Sequence, residues 1–208
     1  NWSVTVDGIS GGNWSFKVDD KIYPLNDRSV DITNNSSLVP SQVKNLEVSN
    51  NIMSFLRFDI PSSITDNHTI KLNLVIDGDS TLNGGISFHK YDQLGWGEKP
   101  DNNNIGIIDH SLGATIATLT SLDNGTTVWD NGTAVSMDNG TTLSIDLTDK
   151  ITSYGEEYSI AIRVLETTDK VTFYSKEKLL TDGKHSYGVN YGKGYAPQKN
   201  VWPNISFQ

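Results

Sequence analysis

The chain contains no cysteine, so no disulfide can stabilise it, although 208 residues are enough to bury a sizeable core without one. Basic residues are also few, because 16 Lys and Arg stand against 25 Asp and Glu, for a formal net charge of −9. This deficit removes the attraction that supplies most nucleic-acid affinity. No segment approaches the roughly 18 consecutive apolar residues of a membrane helix. We therefore expect one soluble domain that neither binds nucleic acid nor inserts into a membrane.

Histidines with catalytic or metal-binding spacing are lacking too. The four histidines, His68, His89, His110 and His185, fall on different predicted elements, and no two have metal-ligand spacing. Asp109, His110 and Ser111 are contiguous, whereas the members of a catalytic triad converge from separate loops. We predict that the protein is not an enzyme and has no catalytic residues.

Acidic residues pair only in predicted turns, where solvated charge is the simplest interpretation. The pairs are Asp19 with Asp20, Asp77 with Asp79, and Glu156 with Glu157. A glycosidase would need two carboxyls facing each other across a cleft, which adjacency in sequence does not indicate. The oxygen-rich loops at 77–79 and 101–104 do not match the spacing of an EF-hand. We expect no cofactor, and leave open one structural calcium ion without a defined ligand set.

Asparagine, serine and threonine are abundant and together make 61 of the 208 residues. Asn-X-Ser/Thr acceptor sequences for N-glycans occur nine times, where composition alone gives about four. They begin at Asn1, Asn13, Asn34, Asn35, Asn67, Asn124, Asn131, Asn139 and Asn204. An Asn/Thr-rich chain makes some of these by chance, but the excess favours a secreted protein that carries covalent N-glycans.

Three of these acceptors lie in a near-repeat, Asp-Asn-Gly-Thr, at 123–126, 130–133 and 138–141. Asn-Gly is the strongest short hairpin signal because both residues tolerate positive φ, so the repeat predicts two or three consecutive tight turns. A hairpin tip also accommodates a bulky glycan without disturbing the core. The two interpretations are compatible.

Apolar and polar residues alternate with a period of two along most of the chain, which predicts strands separated by Gly, Asn, Asp and Pro turns. The predicted strands cover 44–48, 52–60, 69–76, 85–91, 114–119, 142–147, 158–165, 170–175 and 201–207. Residues 147–154 are the best candidate for a helical turn, with Thr148 or Asp149 as its cap. The pattern predicts an all-β fold, a two-sheet antiparallel β-sandwich of jelly-roll type with an extra N-terminal strand.

The order of several short motifs resembles the DNRLRE domain over about residues 23–208, a group that includes disaggregatase-related repeats of archaeal surface proteins and carbohydrate-binding modules of polysaccharide lyases. The matching pieces are Ser54–Ile60, Lys71–Ile76, Trp96-Gly97-Glu98, Leu143–Ile151, Val171–Glu177 and Pro203-Asn204-Ile205. The eponymous motif is degraded to Asn26-Asp27-Arg28-Ser29. Residues 1–22 and the Gly/Tyr-rich stretch 183–195 have no counterpart.

This resemblance implies a two-sheet sandwich with a non-catalytic role. It also implies that Arg57, Asp59, Glu98 and Glu177 are structural charges near the sheet ends rather than ligands. Any buried pair among them would have to satisfy its own charge and hydrogen bonds.

The N-terminal segment 1–22 stands apart behind a flexible stretch at 8–12. Residues 1–9 form a predicted strand whose apolar face carries Trp2, Val4, Val6 and Ile9. Such a strand can fold back as an edge of its own sandwich, or it can complete the sheet of the next molecule. The second arrangement is head-to-tail and does not close, so it builds a filament.

Aromatic residues offer a different interpretation, since sugars pack on exposed rings. The candidates for contact with a glycan or a partner are Trp129, Tyr187, Tyr191 and Tyr195, whereas Trp96 and Trp202 are expected in the sandwich core. Trp129 lies between two Asn-Gly turns, where burial is harder.

The chain reads as a mature, processed polypeptide without an attached catalytic domain. We therefore predict an extracellular, cell-surface structural protein that polymerises with itself through its N-terminal strand. A carbohydrate-binding or adhesive module that recognises a polysaccharide is the alternative.

Overall fold

The computed structural model describes residues 5–6, 9–10, 20–33, 36–37, 45–78, 80–93, 96, 111–176 and 201–208, with backbone alone at 5–6, 9–10 and 36–37. These residues form an all-β, sandwich-like fold of antiparallel strands, and none of them lies in an α-helix. The strands are β1 Thr5–Val6, β2 Ile9–Ser10, β3 Lys21–Ile22, β4 Asn26–Asp31, β5 Ser36–Ser37, β6 Asn45–Ser49, β7 Ile52–Asp59, β8 Ile70–Val75, β9 Gly85–Tyr91, β10 Thr115–Ser121, β11 Thr127–Trp129, β12 Ala134–Val135, β13 Thr142–Asp146, β14 Glu157–Val164, β15 Lys170–Tyr174 and β16 Asn204–Phe207. Within the described ranges, no helix is long and apolar enough to cross a membrane.

The larger sheet runs β12-β11-β10-β9-β14-β7-β4-β5. Its centre is the antiparallel trio β9, β14 and β7, in which Ala161 pairs with His89 on one side and with Phe55 on the other. The predicted strands at 85–91 and 52–60 are therefore confirmed within one residue, because both are long apolar alternations bounded by turns.

The smaller sheet runs β13-β8-β16-β3. The residues that follow β8 pair with β15 on the same side on which β8 itself pairs with β16. Ile76 forms a bridge with Phe173, and the Asp77 N–H donates to the Thr172 carbonyl at 2.8 Å. β15 also pairs along its length with β6. The β6–β7 hairpin, closed by the Ser49–Ile52 pair, thus links the two layers.

The main core lies between the two sheets and follows the predicted alternation. Leu56, Phe58 and Ile160 of the larger sheet are fully buried against Leu72 and Leu74 of the smaller one. A second cluster covers the opposite face of the larger sheet; its members are Val30, Met53, Phe55, Tyr91, Trp96 and Ala161. Because this part of the larger sheet is covered on both faces, neighbouring residues such as Phe55 and Leu56 of β7 are both apolar and fully buried.

Strand β4 was not predicted, because its sequence, Asn26-Asp27-Arg28-Ser29, is polar. Asp27, Arg28 and Ser29 are nevertheless buried. Ser29 Oγ lies 2.9 Å from Ser54 Oγ and accepts the Glu47 N–H at 2.9 Å, so three strands meet at one hydroxyl. Burial of the Ser29 hydroxyl is tolerated because it bonds to a second hydroxyl and to backbone.

Three expectations about local structure need correction. The predicted strand over residues 1–9 is wrong as a single strand, because Val6 pairs with Ile9 and Thr5 with Ser10 in a small hairpin. Lys21 and Ile22 pair with β16 and so belong to the sandwich, whereas the predicted N-terminal segment ran to residue 22. The helical turn predicted within 147–154 is present, since the Ile151 N–H donates to the Leu147 carbonyl, but its predicted cap is wrong, because Asp146 rather than Thr148 or Asp149 accepts the Thr148 N–H.

Candidate assembly edge and glycan-acceptor turns

The outer edge of β13 is open, since β13 is the last strand of the smaller sheet and has one strand neighbour, β8, among the described residues. In an antiparallel strand each residue directs its N–H and C=O to one side, and successive residues alternate. The Thr141 carbonyl and the Leu147 N–H both bond to the β8 side. The N–H and C=O groups of Thr142, Ser144 and Asp146 therefore point to the open edge.

The side chains of β13 alternate between the core and the solvent. Leu143 and Ile145 point inward and are buried, whereas Thr142, Ser144 and Asp146 are exposed. The Ser144 hydroxyl donates to Asn73 Oδ1 at 2.7 Å, and the hydrogen bonds from Thr148 to Asp146 lower the pKa of that carboxyl. An added strand would continue the alternation and extend the apolar layer.

The N-terminal hairpin is the other half of this candidate site. In the described part of the chain, β1 and β2 pair only with each other, through two residue pairs. A two-stranded hairpin of this size is at best marginally stable in water. Of the four predicted assembly residues, Val6 and Ile9 lie in this hairpin, while Trp2 and Val4 lie outside the described residues.

Two of the Asp-Asn-Gly-Thr repeats form the same hairpin turn. In the first, the Leu122 N–H donates to the Thr126 carbonyl and the Gly125 N–H to the Leu122 carbonyl, both at 2.8 Å. In the second, the Trp129 N–H donates to the Thr133 carbonyl at 2.9 Å and the Gly132 N–H to the Trp129 carbonyl at 2.8 Å. Gly125 and Gly132 have φ values of 77° and 83°, which accounts for glycine at that position. The predicted hairpins are confirmed here.

The third repeat, at 138–141, is also a tight turn, but it connects two different sheets. Gly140 has a φ of 84°, and the Thr141 N–H donates to the Asp138 carbonyl at 3.0 Å. The strands before and after it, β12 and β13, do not pair with each other. It is therefore a crossover between the layers rather than a hairpin.

All three acceptor amides are exposed and bonded through oxygen alone. Asn124 Oδ1 accepts the Thr126 N–H at 2.9 Å, Asn131 Oδ1 the Thr133 N–H at 3.0 Å, and Asn139 Oδ1 the Gly78 N–H at 3.0 Å. This arrangement leaves Nδ2, the atom that a glycan would modify, directed away from the turn's own hydrogen bonds. Asn67 is likewise exposed, while Asn1, Asn13, Asn34 and Asn35 lie outside the described residues.

Asn204 differs from the acceptors in the turns, because it is buried within β16. Its residue is 3% exposed. Its Oδ1 accepts from Asn73 Nδ2 at 3.1 Å, and its Nδ2 donates to the Trp202 carbonyl at 3.0 Å. A glycan on Nδ2 would have to displace this hydrogen bond and open the sheet face. Sequence alone gave no signal of this, because Asn73 is distant in the chain.

Trp129 is not an exposed platform, and the expectation that it contacts a glycan or partner is wrong. It is 8% exposed and packs on Phe88 with ring centroids 5.9 Å apart. Trp96 is buried as predicted, whereas Trp202 is only half-buried and packs edge-on against Tyr23 at 5.8 Å. Tyr187, Tyr191 and Tyr195 lie outside the described residues.

Two charged residues on the outer face of the larger sheet form a partly buried ion pair beside Trp96. Arg57 Nη1 donates to Glu157 Oε2 at 3.2 Å, and the guanidinium lies 5.8 Å from the centre of the Trp96 ring. Asp59 is exposed, while Glu98 and Glu177 lie outside the described residues. The described residues hold no cluster of three His, Cys, Asp or Glu side chains suited to a metal ion.

No protein-family model matches the chain, and no curated protein matches it either. The resemblance to the DNRLRE domain therefore stays a prediction.

Proposed function

We propose that the protein is a non-enzymatic, N-glycosylated structural protein of the cell exterior, a filament subunit that assembles by strand complementation. The open edge of β13 is the observation that carries this proposal. Three outward N–H and C=O pairs on one strand make a template for a strand of another molecule. The donor would be residues 1–9 of a second copy.

The margin of the core supports an added strand at this position. Leu143 and Ile145 of β13 both belong to the main core cluster, so the apolar layer reaches the open edge. Alternating Trp2, Val4 and Val6 would place one apolar row beside Leu143 and Ile145. Main-chain bonds would supply affinity, and the apolar row would set the register.

Release of the donor should be easy, because it requires the opening of only two residue pairs between β1 and β2. The glycan acceptors fit the same assembly. Asn124 and Asn139 lie in turns at one end of the sandwich and Asn131 at the other, so glycans there would surround the edge without covering its backbone.

A polysaccharide-binding module is less well supported. Its predicted Trp129 platform is buried, and its remaining aromatic residues, Tyr187, Tyr191 and Tyr195, lie outside the described residues.

Deletion of residues 1–10 tests the donor. We expect the truncated protein to remain folded, since β3 to β16 form the sandwich without these residues, and to form no fibres by electron microscopy. Fibres from the truncated protein would refute the proposal.

Ser144→Pro tests the acceptor edge. The Ser144 N–H points away from β8, so proline removes a donor that the sandwich itself does not use. Ser144→Ala is the matched control, because both variants lose the hydroxyl bond to Asn73. We expect fibres from Ser144→Ala and none from Ser144→Pro, with similar melting temperatures of the monomers. Equal polymerisation of the two variants would show that β13 is not the acceptor.

A further inference from the structure

Two of the three large apolar side chains that stay exposed in the described residues lie near each other. These are Leu122 and Leu165, at 44% and 40% exposure. Both flank Gly85 of β9, since Thr120, two residues before Leu122, pairs with Gly85, and the Leu165 N–H donates to the Gly85 carbonyl at 2.8 Å. We call Leu122, Gly85 and Leu165 the leucine patch.

The alternation of the strands places both leucines of the leucine patch on the outer face of the larger sheet. Leu119, Ile86 and Val164 point into the core. Side chains alternate along a strand, so the Leu122 and Leu165 side chains point the other way. Gly85 adds no side chain between the two leucines, which are about 12 Å apart, because Leu122 is two strand spacings from Leu165 and two residues past Thr120, the residue that pairs with Gly85.

The acceptor Asn124 borders this patch. It lies two residues from Leu122, so their Cα atoms are at most about 7 Å apart. The bond between the Leu122 N–H and the Thr126 carbonyl closes the turn, and Asn124 Oδ1 is held by the Thr126 N–H. A sugar on Nδ2 would therefore start from the same short turn that Leu122 opens.

We infer that the first sugars of an N-glycan on Asn124 pack the C–H face of their pyranose rings on the leucine patch, so that this glycan is part of the folded surface. The inference rests on the proposed N-glycosylation. Burial of apolar surface on both partners supplies the driving force. The equivalent turn at Asn131 provides the contrast, because its preceding Trp129 is already buried by protein.

The test compares two ways of removing a glycan, Thr126→Ala and Thr133→Ala, which abolish the acceptor sequence but keep the asparagine. Each is combined with Leu122→Ser in protein from a glycosylating host, with occupancy measured by peptide mass spectrometry. We expect Thr126→Ala to lower the melting temperature by about 2–4 °C when Leu122 is present. In the Leu122→Ser background this loss should disappear, whereas the effect of Thr133→Ala should be unchanged. The same variants made without glycans should show no such coupling.

We also expect a direct contact between the sugar and Leu122. It should be detected as nuclear Overhauser effects between the Leu122 methyl groups and ring protons of the sugar on Asn124. Additive melting shifts on a protein with Asn124 occupied would overturn the inference and leave N-glycosylation intact. An unmodified Asn124 beside occupied Asn131 and Asn139 would overturn it too. A change of oligomeric mass caused by Leu122→Ser would assign the patch to a protein interface instead. Failure of all sites to carry glycans would count against the proposed N-glycosylation. The fibre experiments with residues 1–10 test the proposed filament assembly separately.

Discussion

The turns at 122–126 and 129–133 have the same Asp-Asn-Gly-Thr sequence and the same pair of backbone hydrogen bonds, yet they differ in the side chain that precedes them. Leu122 is 44% exposed, whereas Trp129 is 8% exposed. The acceptors Asn124 and Asn131 are seven residues apart, an odd number, so the strand alternation places equivalent side chains on opposite faces of the sheet. The local sequence therefore determines the turn, whereas the alternation of the strand determines whether the side chain before the turn is buried or exposed.

The largest expected effect on stability is that of truncating the buried Trp129. Trp129→Ala should lower the free energy of unfolding by about 3–5 kcal/mol, because it leaves a cavity against Phe88. Leu122→Ala is the control at the equivalent position and should change it by less than about 0.5 kcal/mol in unglycosylated protein. Urea unfolding measures both. Similar losses would mean that the two turns do not differ in burial.

A second test extends the comparison to an acceptor sequence within a strand. Asn204→Ala should destabilise by about 1–3 kcal/mol, since it removes two buried hydrogen bonds, the one from Asn73 Nδ2 and the one to the Trp202 carbonyl. Asn131→Ala, in a solvent-exposed turn, should cost about 0.5 kcal/mol. Chemical unfolding of unglycosylated protein gives both values, and equal costs would contradict the buried role of Asn204.

The two turns should respond alike where their backbones are alike. Gly125→Ala and Gly132→Ala each force alanine to a positive φ, at a cost of about 1 kcal/mol. In neither case would the new Cβ meet another atom within 4 Å, so no clash adds to the conformational cost. Thermal unfolding of the two variants should agree, and a clear difference would show that the turns are not equivalent.

The smallest effect concerns β9, the strand beside β10, which leads into the first turn. Burial lowers the pKa of His89 below 6.5, aided by the charge of Arg163 and opposed by a hydrogen bond to the Gly113 backbone. Protons thus bind the unfolded chain more readily, and stability should fall as the pH drops from 6.5 through the folded-state pKa. His89→Gln should flatten this part of the profile of unfolding free energy against pH. An unchanged slope would assign the dependence to other groups.

Much of the sheet architecture could be predicted from sequence. The strand at 85–91 was predicted with its observed bounds, and the Asn-Gly repeats predicted the turns, because both signals are local. The burial of Trp129 was not predicted, because it depends on which residues of the three-residue strand β11 face the core. The role of Asn204 was missed because its partner Asn73 lies 131 positions away. Strand β4 was missed because the partners of its polar residues are distant in the chain: Ser29 bonds to Ser54 and Glu47, and Asp27 accepts the Lys176 N–H.

The order of the smaller sheet has a mechanical consequence for a polymer joined in the proposed way. Tension would enter each subunit at β3, next to the donor segment, and leave at the open edge of β13. Between these strands lie only β16 and β8. The pulling force would therefore cross three strand interfaces and bypass the larger sheet, which is left free to carry glycans. The interface between β3 and β16 has only two residue pairs and would therefore separate first.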